Sequence, residues 1–242
     1  MKEENMTYSN AIEQVMLHNN YVAPLKLLYK EVWNYKDISK IKGKTPIATI
    51  QERVQRDNRF TKIGLGVYAL TDKLDLLEKQ KIPKTEKERT ITRHGEMQGM
   101  LLEIGNSRKE VQETYTNDKK FVFQNKTLGS LATLQIVPPF TYEKIIRESA
   151  TFTDVIWFNE RLFPSKIFEV ENSTDFRDAF VKFMELQDFT TEFVCVSPSG
   201  RKTKFDREID KNAFRPIRDR IRFLSYEEIE NDYNATLTKL YI

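Results

Sequence analysis

Along the N-terminal stretch apolar residues recur at helical spacing and then switch to alternation, which divides the stretch into elements. Thr7 or Ser9 can cap a helix that carries Ala11, Ile12, Val15, Met16 and Leu17 mostly on one face. Pro24 opens a second helix, 24–34, whose apolar positions are Leu25, Leu27, Leu28 and Val32. Residues 42–46 read as a loop into a third helix that starts near Pro46 and turns Ile47, Ile50 and Val54 inward. Residues 60–63 and 67–70 then alternate as two short strands around Gly64-Leu65-Gly66. Three helices followed by strand, turn and strand is the layout of a winged helix.

The next stretch breaks the pattern. Residues 73–77 suit a short helix, but 79–89 form a polar run with Pro83 and no apolar period, which reads as an exposed linker. Beyond it, Met97, Met100, Leu101, Leu102 and Ile104 predict a helix over 94–105 that ends at Gly105. A helix over 141–148 follows Pro138-Pro139. Residues 153–158 and 166–171 are runs of β-branched and aromatic residues and predict strands. Ser173-Thr174-Asp175 caps an amphipathic helix through Phe180, Val181, Phe183, Met184 and Leu186, and 192–196 is a buried strand. The expected fold is therefore α+β and multi-domain. A winged helix-turn-helix spans 1–72, a linker 73–93 and an α/β layered domain 94–242.

Composition changes this picture little. Hydrophobic residues make up 39%, and 16 Phe with 10 Tyr supply a core. The net charge of +3 argues weakly either way, so its distribution matters more. Lys36, Lys40, Lys42, Lys44, Arg53, Arg56, Arg59 and Lys62 form one basic cluster, and a second runs from Arg201 to Arg222. Both suit either a polyanion or ordinary solvated faces. The single cysteine, Cys195, excludes an internal disulfide and a multi-cysteine zinc site. No apolar run approaches the ~20 residues that span a bilayer, and no signal-like segment opens the chain. The expectation is a cytoplasmic protein without membrane contact.

The candidate chemistry lies in carboxylates. Asp154 begins one expected strand, while Glu169 and Glu171 share a face of the next, because side chains alternate along a strand. Like charges on one face of an apolar strand are expensive to bury unless a cation joins them. Magnesium, with manganese as the alternative, takes such hard oxygen ligands and could activate a water against a phosphate. A structural reading, in which Glu171 pairs with a basic residue, stays open beside it.

Two resemblances sharpen these readings. Residues 43–50 (Gly-Lys-Thr-Pro-Ile-Ala-Thr-Ile), Arg53, Asp57, and Phe60 through Gly66-Val67-Tyr68-Ala69-Leu70 resemble the HARE-HTH winged-helix family over roughly residues 5–71. That likeness implies duplex DNA as partner. Lys44 and Thr45, at the amino end of the third helix, suit phosphate binding. Thr49, Gln51 and Arg53 either face the groove or decorate a solvated surface, and Lys62 would touch backbone. Asp154 followed by Glu169-Val170-Glu171 looks like the PD-(D/E)XK nuclease superfamily, with metal at Asp154, Glu169 and Glu171. Two departures stand out: Thr153 replaces the usual proline, and Glu171 stands where lysine is commonest. An acidic residue from the first core helix often joins such sites. Glu103 is the choice here over Glu96, on a face different from that of His94 and Gln98.

The resemblance implies a type II restriction endonuclease that hydrolyses phosphodiester bonds in double-stranded DNA at specific sites. It also implies a cognate DNA methyltransferase as functional partner, and palindromic cutting would favour a homodimer. The alternative is a DNA-binding regulator whose nuclease-like half has decayed, which the glutamate at 171 keeps alive. A protein-interaction scaffold, needing neither DNA nor metal, is a third reading.

Overall fold

In the computed structural model, which describes residues 6–37, 39, 41, 45–79, 83, 85–172 and 175–239, the N-terminal stretch packs three helices on three strands. Helix α1 (Tyr8–His18) starts at Thr7, whose hydroxyl accepts the Asn10 amide, and buries Ala11, Ile12, Val15 and Met16. Leu17, expected with them, is 40% exposed because it falls off that stripe. Strand β1 (Val22–Pro24) leads into α2 (Leu25–Glu31), and a 3-10 turn completes the second helical segment. Helix α3 (Pro46–Arg56) buries Ile50 and Val54, but Ile47 in its first turn is 43% exposed rather than inward. Strands β2 (Phe60–Gly64) and β3 (Val67–Leu70) pair antiparallel, and β1 pairs with β3 to give the order β1-β3-β2. Gly66, at φ 63°, makes the turn between β2 and β3 in a backbone region that side chains disfavour.

Two features of the following stretch depart from the sequence reading. Residues Thr71–Leu76 form a 3-10 helix. Helix α4 (Glu86–Ser107) begins inside the run read as linker. A capping box explains its start: the Thr85 hydroxyl accepts the Glu88 amide, and the Glu88 carboxylate accepts the Thr85 amide. The helix also runs past Gly105. A Cβ there would sit 2.5 Å from the Trp157 indole nitrogen, so this glycine serves a close approach and is no terminator.

The remaining strands are β4 (Glu113–Thr116), a small hairpin of β5 (Val122–Phe123) and β6 (Lys126–Thr127), β7 (Val155–Phe158), β8 (Pro164–Val170), β9 (Glu192–Ser197) and β10 (Ile221–Ser225). Between and after them lie α5 (Leu128–Leu131), α6 (Glu143–Glu148), α7 (Phe176–Glu185), α8 (Lys202–Ile209) and α9 (Tyr226–Lys239). Five strands form one sheet in the order β10-β9-β8-β7-β4. β8, β9 and β10 are parallel, and β7 and β4 are antiparallel to their neighbours. Alternation sorts the side chains into two layers. Val155, Trp157, Phe168, Val170, Val194 and Val196 pack with residues of α4 and α9, including Leu101 and Tyr233. Ile156, Phe158, Ile167, Phe193 and Cys195 pack with Phe176, Phe180 and Phe183 of α7 and Phe205 of α8. The result is a mixed α+β architecture with helices on both faces of the sheet.

The N-terminal elements are tied into this core. Val22, Leu65, Val67 and Ala69 belong to the same apolar cluster as Met97, Leu101 and Tyr233. Lys26 of α2 donates to the carbonyls of Gly105 and Arg108, at 3.3 and 3.2 Å, and to that of Val111. No helix among the described residues is long and apolar enough to cross a membrane.

Candidate active site

Strands β7 and β8 run antiparallel with Val155 opposite Phe168, so one further step in the same register sets Asp154 opposite Glu169. Both point to the α7 side of the sheet, at its edge beside the first turns of α4. There Asp154, Glu169, Glu171, Asp118, His94 and Lys182 line a cleft of about 380 Å³. The carboxylates are nearly enclosed, with Asp154 6%, Glu169 2% and Glu171 8% exposed.

Each acid is held differently. Asp154 Oδ2 accepts the Val170 amide at 2.7 Å. Its Oδ1 accepts Asn117 Nδ2 at 3.3 Å and lies 3.3 Å from His94 Nε2. Burial pushes the Asp154 carboxyl up, but hydrogen bonding to His94, its charge and the Val170 amide together hold it below the usual range. Glu169 goes the other way. Burial first, and then the Asp154 charge, push it well above the usual carboxylate range, against the pull of Lys182. Lys182 Nζ donates to Glu169 Oε2 at 2.7 Å and to the Phe152 carbonyl at 3.1 Å. The other oxygen, Glu169 Oε1, is buried and has no hydrogen-bond partner among the described residues. A buried carboxylate oxygen without a donor, in a cleft shared with a second carboxylate, suits a divalent cation as partner. Among the described residues no group of three or more His, Cys, Asp or Glu side chains is arranged as a metal site.

Glu171 lies just past β8, where its amide donates to the Val196 carbonyl at 2.8 Å. Its own carbonyl accepts Ser197 Oγ and Arg201 at 2.5 and 2.7 Å, fixing it at the cleft wall.

Glu103, chosen from the first core helix, is not in the cleft. It lies on the opposite side of α4, fully buried, with Oε1 2.6 Å from Lys126 Nζ. Its Oε2 accepts the Leu65 amide and the Tyr233 hydroxyl, at 2.8 and 2.7 Å. The α4 face that does line the cleft carries Thr90, Ile91 and His94, with Gln98 a turn further on. Sequence spacing separated these faces but could not say which turned to the sheet edge. Lys182 was missed, although one signal existed: it abuts the apolar stripe Phe176, Ala179, Phe180 and Phe183. Asn117, on the loop after β4, had none.

The expected DNA contacts lie elsewhere. Lys44 falls outside the described residues, as do Ser173 and Thr174 of the expected cap; Asp175 caps α7. Thr45 is exposed at the start of α3, and Thr49 donates its hydroxyl back to the Thr45 carbonyl at 3.2 Å. Arg53 is exposed and Lys62 is half-buried on β2. None of these lines the cleft. Within the second basic run, Arg201, Arg218 and Arg220 donate to backbone carbonyls, while Lys202, Lys211 and Arg222 pair with Asp206, Glu208 and Glu192. Much of that run braces the fold.

Residues 75–240 match the model of a protein family described as the type II restriction enzyme NmeDI C-terminal domain. The match takes in all five strands of the large sheet and every residue of the cleft. No curated protein and no solved structure matches the chain.

Proposed function

The chain belongs to the family of the type II restriction enzyme NmeDI C-terminal domain, and on that footing we propose a magnesium-dependent, site-specific endonuclease of duplex DNA. In this reading residues 86–239 form a PD-(D/E)XK core. Its helix, antiparallel strands, helix and strand follow in the order that superfamily uses. The N-terminal elements act as a HARE-HTH winged helix, with α3 presenting Thr49 and Arg53 to a groove and β2 presenting Lys62 to backbone. Salt should weaken such binding steeply.

One observation carries the catalytic part. Asp154 and Glu169 face one cleft, and Glu169 Oε1 is buried without a partner among the described residues. Two carboxylates fit magnesium, which usually takes one or two protein carboxylates and keeps several waters. Asp154 and Glu169 would hold it, and Glu171 lines the same wall. When bound, the ion supplies positive charge opposite the phosphate under attack. The protein's own part is orientation. The Val170 amide fixes one oxygen of Asp154, Asn117 and His94 steady the other, and burial excludes bulk water from Glu169.

Beside Glu171, the decayed-regulator reading draws on the Lys182 ion pair, which supplies Glu169 with a cation without any metal. Plasmid and genomic DNA incubated with the chain and magnesium separate the two. The proposal expects ends at a defined sequence, and loss of cutting with EDTA and in Asp154→Ala and Glu169→Ala. Tight duplex binding without cleavage of any unmodified or methylated DNA would favour the regulator.

A further inference from the structure

The cleft brings four carboxylates, Asp118, Asp154, Glu169 and Glu171, to the place where an anionic substrate would sit. Among its lining residues one side chain carries a permanent positive charge: Lys182, from α7. We infer that Lys182 is a catalytic residue that places its ammonium against the scissile phosphate, offsetting the carboxylates around it. This rests on the nuclease reading above.

The geometry supports contact with substrate rather than simple bracing. An ammonium has three donors, and Lys182 directs two at protein acceptors, Glu169 Oε2 and the Phe152 carbonyl. Those two contacts fix a side chain that would otherwise be free to rotate. The group remains 31% exposed, so it is open to a ligand, whereas Glu169 behind it is closed. His94 is the other candidate cation, but it is turned onto Asp154. Lys182 also lines the adjoining groove formed with Lys144, Ile145 and Glu185, so it stands where a strand leaving the cleft would pass.

Lys182 keeps its proton throughout. A water oxygen attacks phosphorus and the bond to the leaving sugar oxygen breaks. The water's proton goes to solvent and the leaving oxygen takes one up. The ammonium stabilises charge that grows on the non-bridging oxygens, where a fixed donor is worth more than in water.

The test exploits the buried single cysteine. Cys195 is fully enclosed, so in Lys182→Cys only the introduced thiol is open to aminoethylation, which restores a lysine-like ammonium. Single-turnover cleavage should fall about 10²–10³-fold in Lys182→Met and in unmodified Lys182→Cys. It should recover in the aminoethylated form and partly in Lys182→Arg. Duplex affinity in calcium, read by fluorescence anisotropy, should change by less than about threefold. Cleavage by Lys182→Met near the wild-type rate, while Asp154→Ala is dead, overturns the lysine assignment and leaves the nuclease reading standing. Failure of the aminoethylated form to recover also overturns it. Should wild type cut no DNA, or Asp154→Ala cut as well as wild type, the nuclease reading falls and this inference with it.

Discussion

Glu103 and Lys126 are both fully enclosed, and each satisfies the other within a network that includes Tyr233 and the Leu65 amide. Removing one member leaves a charge buried without its partner, which is strongly unfavourable. Lys126→Met and Glu103→Leu should each lower stability by about 3–5 kcal/mol. The double variant, which removes both charges, should recover a large part of that loss in urea unfolding. Single variants within about 1 kcal/mol of wild type would show that the pair behaves as if exposed. Lys26 makes a different residue-scale prediction. Burial pulls its ammonium down to about 8, against the attraction of Glu113 and Glu110. Its folded value lies below its unfolded one, so the unfolded chain binds more protons between them and stability rises with pH over that interval. The melting temperature of wild type minus that of Lys26→Met should therefore climb from about pH 8 toward 10.5; a difference that falls over the same range contradicts the buried placement.

Helix α4 connects the two halves of the molecule. Its N-terminal turns carry His94 to the cleft, its middle buries Glu103, and its last turn meets Trp157 through Gly105. On an exposed helix Gly→Ala stabilises by up to about 1 kcal/mol. Here the added methyl would meet the indole ring, so Gly105→Ala should destabilise by about 1–3 kcal/mol, as overpacked cores do. Thermal unfolding gives the sign directly, and a stabilised variant would refute the close approach. The element also shows why its ends were misread. Its start is encoded in the pair Thr85 and Glu88, but Pro83 and the polar run around it equally fit a linker. Its end was misplaced because a glycine that terminates a helix and one that admits a ring look identical in sequence.

For the molecule as a whole, the turn between β2 and β3 packs Leu65 into the same core as Leu101 and Tyr233. Lys26 closes the last turn of α4 from the other side. Elements expected to bind DNA and elements expected to cut it therefore share buried surface, which couples their unfolding. Calorimetry of the intact chain should show one transition with a calorimetric to van't Hoff ratio near ~1. Two resolved transitions would mean that the shared cluster contributes little.

The local pattern determined the helices at 8–18 and 46–56, the strands β7, β8 and β9, and the shared face of Glu169 and Glu171. Each of these follows from a period of two or of 3.6, which a single segment carries by itself. Tertiary structure alone decided that Asp154 faces Glu169, which side of α4 meets the cleft, that Glu103 belongs to a buried ion pair, that Lys182 lines the cleft and that Asn117 reaches Asp154. Those outcomes depend on contacts between segments far apart in the chain, and no segment's own periodicity encodes which partner it will find.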